Sequence, residues 1–436
     1  MNNMSNMQVV NQIISDVKIP RMVRVRQVFE DEYVPDVRAE VLSQLEKLDI
    51  SIKPGMTAAI TAGSRGVTDA TVVIKAVVDF LKTRGAEPFI VPAMGSHGGA
   101  TAEGQLEICK SFGVTEESMG CRIKATMEVV EIAKLPSGRP VYMDKNAAAA
   151  DCVIPINRVK THTGIVGRYE SGLMKILTVG LGKQRGAEMF HSEKRRLLSK
   201  NIETTGRAII ENRNVLFGVA IVENAHEHTH SLHVIKGADI PEIEPGLLEK
   251  SKSLMPAIMF EDIDLFIVDR VGKEISGAGV DPNIVRKFPA ETEIESPRMA
   301  KRMTILDITD KSKGVGLGVG MADTTTWRFL NKLDFGATYP NAITSTSPEP
   351  ARIPMVMDNQ KHAIQCALKT YPQADPYNYR IVRIPDSLHI TEIEISEALL
   401  PEAISHPQIE VLSEPYELVF DANGDLFPDT YTYPSR

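Results

Sequence analysis

Apolar and polar positions along this chain fall into two periods that alternate. Short, almost continuous apolar runs read as buried strands: Thr57–Gly63 (TAAITAG), 88–95 (PFIVPAMG), Asp151–Ile156 (DCVIPI), Asn214–Val222 (NVLFGVAIV) and Glu261–Asp269 (EDIDLFIVD). Between them lie segments with apolar residues at helical spacing, at Asp36–Leu48, 68–84, 101–113, Lys194–Glu203 and Asp358–Lys369. Thr68 stands where a hydroxyl would cap the first turn of its helix, and Thr101 begins the next, with Gly104 near its first turn. Strand–loop–helix repetition of this kind predicts an α/β fold.

Several segments are less clear from pattern alone. Lys175–Leu181 (KILTVGL) is apolar throughout and fits either strand or helix. Residues 241–256 turn polar and are punctuated by proline, and the strand Glu261–Asp269 then starts either a second domain or its approach. The segment Met303–Val319 reads as two strands, TILDITD and GVGLGVG, and Ser387–Ile395 alternates like a strand. A chain of 436 residues exceeds one ordinary core. We therefore expect two α/β domains, 1–260 and 261–414, with an active-site cleft between them and the tail 415–436 able to return to the first.

Composition narrows the class. Hydrophobic residues make up 43% and charged residues 24%, as in ordinary globular chains. The net charge of −8 is scattered, with no basic stripe for nucleic acid. The four cysteines form no CxxC pair, which fits a reducing compartment without a disulfide framework. The polar start MNNMSNMQ lacks the apolar core of a signal peptide, and no run reaches membrane-spanning length. The expectation is a cytoplasmic protein with no membrane or nucleic-acid partner; a homo-oligomer stays open.

Candidate chemistry gathers in residues 159–191, VKTHTGIVGRYESGLMKILTVGLGKQRGAEMFH. His162, Lys175 and His191 lie there beside glycines, and His97 sits in a second glycine-rich turn, GSHGGAT. Arg65, in AGSRGVT, follows a predicted strand, as do His97 and His162. Ligands collect at the carboxyl ends of strands in open α/β sheets. A guanidinium there can grip a carboxylate or phosphate, and an imidazole can move a proton near neutral pH. Lys175, taken alone, reads as a snorkelling lysine at the edge of an apolar run, though burial there would make its amine nucleophilic. His226, His228, His230 and His233 form a tract that reads first as an exposed strand edge, with metal binding as the alternative. Neither the glycine-rich 313–320 nor its spacing matches a dinucleotide fingerprint.

Taken together, Arg65, His97 in GSHGGAT, and the series His162, Lys175, His191 resemble the nickel-pincer-dependent lactate racemase superfamily of 2-hydroxyacid racemases and epimerases, as a divergent branch. The resemblance covers most of the chain and is strongest from about residue 58 to 191. It implies that Lys175 carries a nicotinate-derived nickel pincer nucleotide, made by dedicated biosynthetic proteins, and that His191, 16 residues on, ligates the nickel. It also implies that His97 and His162 are the two acid/base groups, and that Arg65 holds the carboxylate of a 2-hydroxy acid. Racemisation by reversible hydride transfer needs one base per face. The chain departs from the family pattern in three places. His162 and Lys175 are 13 residues apart, slightly more than is usual; Ala62 replaces an acidic residue; and 281–288 (DPNIVRKF) lacks the Tyr-Gln pair. Lys273, Asn283 and Arg286 are the candidate substrate contacts there, which puts lactate itself in doubt. A non-catalytic binding homologue and a metal-dependent hydrolase are the alternative readings.

Overall fold

The computed structural model describes residues 7–64, 66–289 and 300–427 and is mixed α/β. The chain forms two compact units, Glu30–Met255 and a second made of Met1–Phe29 with Pro256–Arg436.

In the first unit, parallel strands Glu87–Pro92, Thr57–Ala62 and Cys152–Ile154 form one sheet. Ile156–Arg158, Phe217–Glu223 and Thr229–Lys236 form another, the first pair parallel and the second antiparallel. The two sheets meet in consecutive strands separated by Pro155. Alternation along the strands feeds two cores. Ala58, Ile60 and Ile90 pack on one face with Val73, Val77 and Leu81 of the helix Ala70–Thr83. Ala59, Phe89 and Val91 pack on the other with Leu173, Leu177 and Ile202. Burial on both faces explains why these strands read as unbroken apolar runs.

Several expectations need correction here. Thr68 does not cap its helix: the helix begins at Ala70, and the Thr68 N–H donates to Glu223 at 2.9 Å. The next helix, Ala102–Ser111, follows Thr101 as expected, and the Thr101 hydroxyl caps it, accepting from the Gly104 N–H at 3.0 Å. The proline-rich 241–256 is largely a helix, Ile240–Leu254. Pro241 fits its first turn, where no N–H is needed. Pro245 leaves the Pro241 carbonyl without its helical donor, and the Tyr169 hydroxyl supplies one.

The second unit holds an eight-stranded sheet. Met355–Met357, Thr324–Thr326, Arg302–Ile308, Leu265–Val271 and Ile381–Ile384 run parallel; Glu392–Ser396, Met22–Gln27 and Ile409–Val411 complete it antiparallel. Met22–Gln27 therefore departs from the expected first domain. Its Arg24 and Arg26 pair across the strands with Glu392 and Glu410, and Met22, Val23 and Val25 are buried in this unit's cores. The tail also stays here, bridging Tyr416 to Met22. GVGLGVG is not a strand: Gly314 and Gly318 take positive φ of 79° and 91°, and the segment closes in a short helical turn at Val319–Met321. No helix among the described residues is long and apolar enough to cross a membrane. The four cysteines are free thiols.

Candidate functional site

The parallel strands of the first unit place their carboxyl ends together, and three of them, at or just past those ends, contact the same segment, Gly172–Gly180. After Thr57–Ala62, Gly63 lies against it: a Cβ at Gly63 would stand 3.6 Å from Asn157 Oδ1 and 4.0 Å from Ile176. After Glu87–Pro92, the Gly95 N–H donates to the Gly180 carbonyl at 3.1 Å. From within the short strand Ile156–Arg158, the Asn157 amide donates to the Gly172 carbonyl at 3.0 Å. Glycine at 180 is required by contact, because a Cβ there would meet the Ala93 carbonyl oxygen at 2.7 Å.

Lys175 ends a single helical turn, Leu173–Lys175, and is followed at once by a π-helical turn, Ile176–Gly180. Such turns cost hydrogen-bond quality and recur at functional sites. The ambiguous KILTVGL is therefore helical. Lys175 is half-buried. The helix Lys183–His191 follows and ends on His191. The His191 ring is accessible but crowded, with Phe190 edge-on at 5.1 Å. Desolvation, then the nearby charges of Lys175 and Arg195, hold its pKa below the ordinary histidine value. It is thus a neutral imidazole near pH 7, which is the form that ligates metals.

His97 and His162 sit on differently built turns. His97 is exposed, and its Nδ1 lies 2.8 Å from the Met94 carbonyl. A carbonyl only accepts, so Nδ1 carries hydrogen and the neutral ring keeps its lone pair on Nε2. His162 is half-buried, and its Nδ1 accepts from the Gly164 N–H at 3.0 Å. The neutral ring there carries hydrogen on Nε2. The two rings therefore present complementary Nε2 atoms, one an acceptor and one a donor.

Buried charges, invisible in the sequence pattern, hold these turns. Lys183 is fully buried with φ of 53°; its ammonium donates to the Pro92 carbonyl and to Gln105 Oε1 (3.0 Å), and pairs with Asp144 at 3.2 Å. Gln105 in turn donates to the carbonyls of Gly95 (3.0 Å) and His97 (3.3 Å). The loop of His162 is closed at its neck by paired backbone bonds between Lys160 and Ser171. Inside it, buried Glu170 accepts from the His162 N–H at 2.9 Å and pairs with Lys252 at 3.3 Å. Burial raises the Glu170 pKa despite these partners. Arg195 touches this loop too: its Nη1 would lie 3.1 Å from a Cβ at Gly164.

The remaining candidates are Arg65, Lys273, Asn283 and Arg286. Arg65 lies outside the described residues. Lys273, Asn283 and Arg286 belong to the second unit. Lys273 donates to Asn341, Asn283 donates to Asp281 Oδ1 at 3.0 Å, and Arg286 donates to the carbonyls of Phe260 (2.9 Å) and Ile258. Arg286 thus has a holding role that the sequence reading, which assigned it to substrate, did not foresee.

Residues 50–243 match the family described as Domain of unknown function (DUF362). No curated protein matches the chain. A crystal structure of a Thermotoga maritima protein is similar in fold, with a TM-score of 0.50 at 14% identity over 82% of this chain and 98% of that one. The lactate racemase apoprotein from Thermoanaerobacterium thermosaccharolyticum is similar over 65% of this chain and 74% of its own, with a TM-score of 0.43 and 12% identity. The matched family region contains the whole Gly172–Gly180 convergence, His97, His162 and His191.

Proposed function

We propose that this protein is a racemase or epimerase of a 2-hydroxy acid that works with a nickel pincer nucleotide tethered at Lys175. The observation that carries the reading is the convergence of two strand-end turns and the strand residue Asn157 on the Lys175 turn, with the Lys175 ammonium close enough to His191 to shift its titration. The residues fit the group: Lys175 offers a half-buried amine of the kind the covalent link needs, and His191 beside it offers a neutral imidazole of the kind that ligates the metal. When bound, the nucleotide supplies a reversible acceptor for the hydride at C2 of the substrate.

The chain's own residues do the rest. In the neutral tautomers, His97 Nε2 is set to take the hydroxyl proton of one enantiomer, and the His162 Nε2–H is set to donate. Gln105 and Lys183 fix the height of the His97 turn from beneath, and Glu170 fixes the His162 loop. Arg65 is proposed to bind the substrate carboxylate through its fork.

The test is loss of optical rotation of a single enantiomer in D₂O with cofactor-loaded protein, with the C2 hydrogen retained rather than exchanged with solvent. His97→Ala and His162→Ala should each abolish racemisation while keeping the adduct on Lys175. Full activity in both variants would overturn the two-base assignment.

A further inference from the structure

A second cluster of ligating groups lies in the first unit, on residues the proposed chemistry does not use. Glu30, Glu32 and His230 bring one carboxylate oxygen each and one ring nitrogen within 4.8 Å of one another. We propose that these three side chains form a binding site for a first-row divalent cation of the zinc type.

The backbone holds the two halves together. The Val34 N–H donates to the Thr229 carbonyl at 2.8 Å, and the Asn224 amide donates to the Glu32 carbonyl at 3.1 Å. Asn224 Oδ1 also accepts from the N–H groups of His226 and His228, which fixes the turn before His230. Asp31 between them is instead held by His228 Nδ1 at 3.0 Å. That leaves Glu30 and Glu32 facing His230.

His230 is only 11% exposed at its side chain, and its buried Nδ1 has no hydrogen-bond partner among the described residues, so nothing there fixes which ring nitrogen carries hydrogen. Its Nε2 faces Glu30 Oε1 at 3.8 Å, too far for a hydrogen bond. Two carboxylates brought this close repel, and a cation between them and the ring nitrogen removes that repulsion. Two carboxylates with one imidazole suit zinc and its neighbours rather than calcium, which takes oxygen alone, or copper(I), which prefers sulfur. Tetrahedral zinc with bonds of about 2.1 Å needs ligand atoms about 3.4 Å apart. The exposed Glu30 and Glu32 side chains can rotate to close the difference. Three protein ligands leave the fourth position to water.

The experiment is equilibrium dialysis of the metal-free full chain against Zn²⁺ alone, for wild type, His230→Ala, the double variant Glu30→Gln/Glu32→Gln, and His191→Ala. One ion should bind to wild type and to His191→Ala with equal affinity. Both other variants should bind at least about tenfold more weakly. The double variant changes only exposed side chains, so its folding is not in question. No binding by wild type, unchanged binding in the double variant, or loss in His191→Ala would overturn the proposal. None of these outcomes depends on the pincer cofactor.

Discussion

Glu244 Oε2 accepts the Met174 backbone N–H at 2.9 Å, one residue before Lys175. The Leu173 N–H joins it, so one buried carboxyl caps the turn that presents the lysine. Gly172 makes room for it: a Cβ there would stand 2.5 Å from Glu244 Oε1. Burial is the largest influence on this carboxyl and pushes its pKa from 4.5 up to about 7, against the two N–H groups, which pull it down.

This gives a signed dependence on pH. The folded state binds the Glu244 proton more tightly than the unfolded chain does. Its contribution to stability is therefore fully present below about pH 4.5 and is lost as pH rises through about 7, by roughly 3 kcal/mol in all. Glu244→Gln should flatten that part of the stability–pH curve, measured by denaturant unfolding. Glu244→Ala should instead destabilise at every pH by about 1–3 kcal/mol, because it orphans two buried N–H groups.

Lys183 supports the His97 turn from a fully buried position. Lys183→Met leaves Asp144 buried without its cation, at a cost of about 3–5 kcal/mol in unfolding free energy. Adding Asp144→Asn should recover part of that loss in a double-mutant cycle. Simple additivity of the two changes would contradict the pairing.

Lys175 lowers the pKa of His191 through its charge. Lys175→Met should therefore raise the His191 pKa, read by NMR titration of the assigned imidazole in cofactor-free protein. An unchanged value would mean that the two residues are not neighbours.

How much of this was readable in advance varies by residue. The central strands were legible because burial on both faces leaves an apolar run, and the helix start at Thr101 was legible although its cap on the Gly104 N–H was not. KILTVGL stayed ambiguous because an apolar run without period fits either conformation; contact of Gly180 with Ala93 decides it only in three dimensions. Helix Ile240–Leu254 was hidden by its prolines, whose missing donor is replaced by a residue 72 positions away, Tyr169. Met22–Gln27 was assigned by sequence order, yet a lone strand joins whichever sheet edge matches its arginines and apolar face, here Glu392–Ser396. In the site, His97, His162, Lys175 and His191 were singled out by their glycine-rich surroundings. Lys183, Glu170 and Glu244 were not, since nothing in a sequence distinguishes a buried charge from a solvated one. A lysine between Gly182 and Gln184 with positive φ is a signal only once the backbone is known.

The most direct measurement is intact-protein mass spectrometry with metal analysis, on the chain co-produced with the enzymes that make the pincer nucleotide. The account predicts an added mass that maps to Lys175, stoichiometric nickel, loss of both in Lys175→Ala, and loss of nickel in His191→Ala. An unmodified, nickel-free chain, from a host in which a control racemase is loaded, would contradict it.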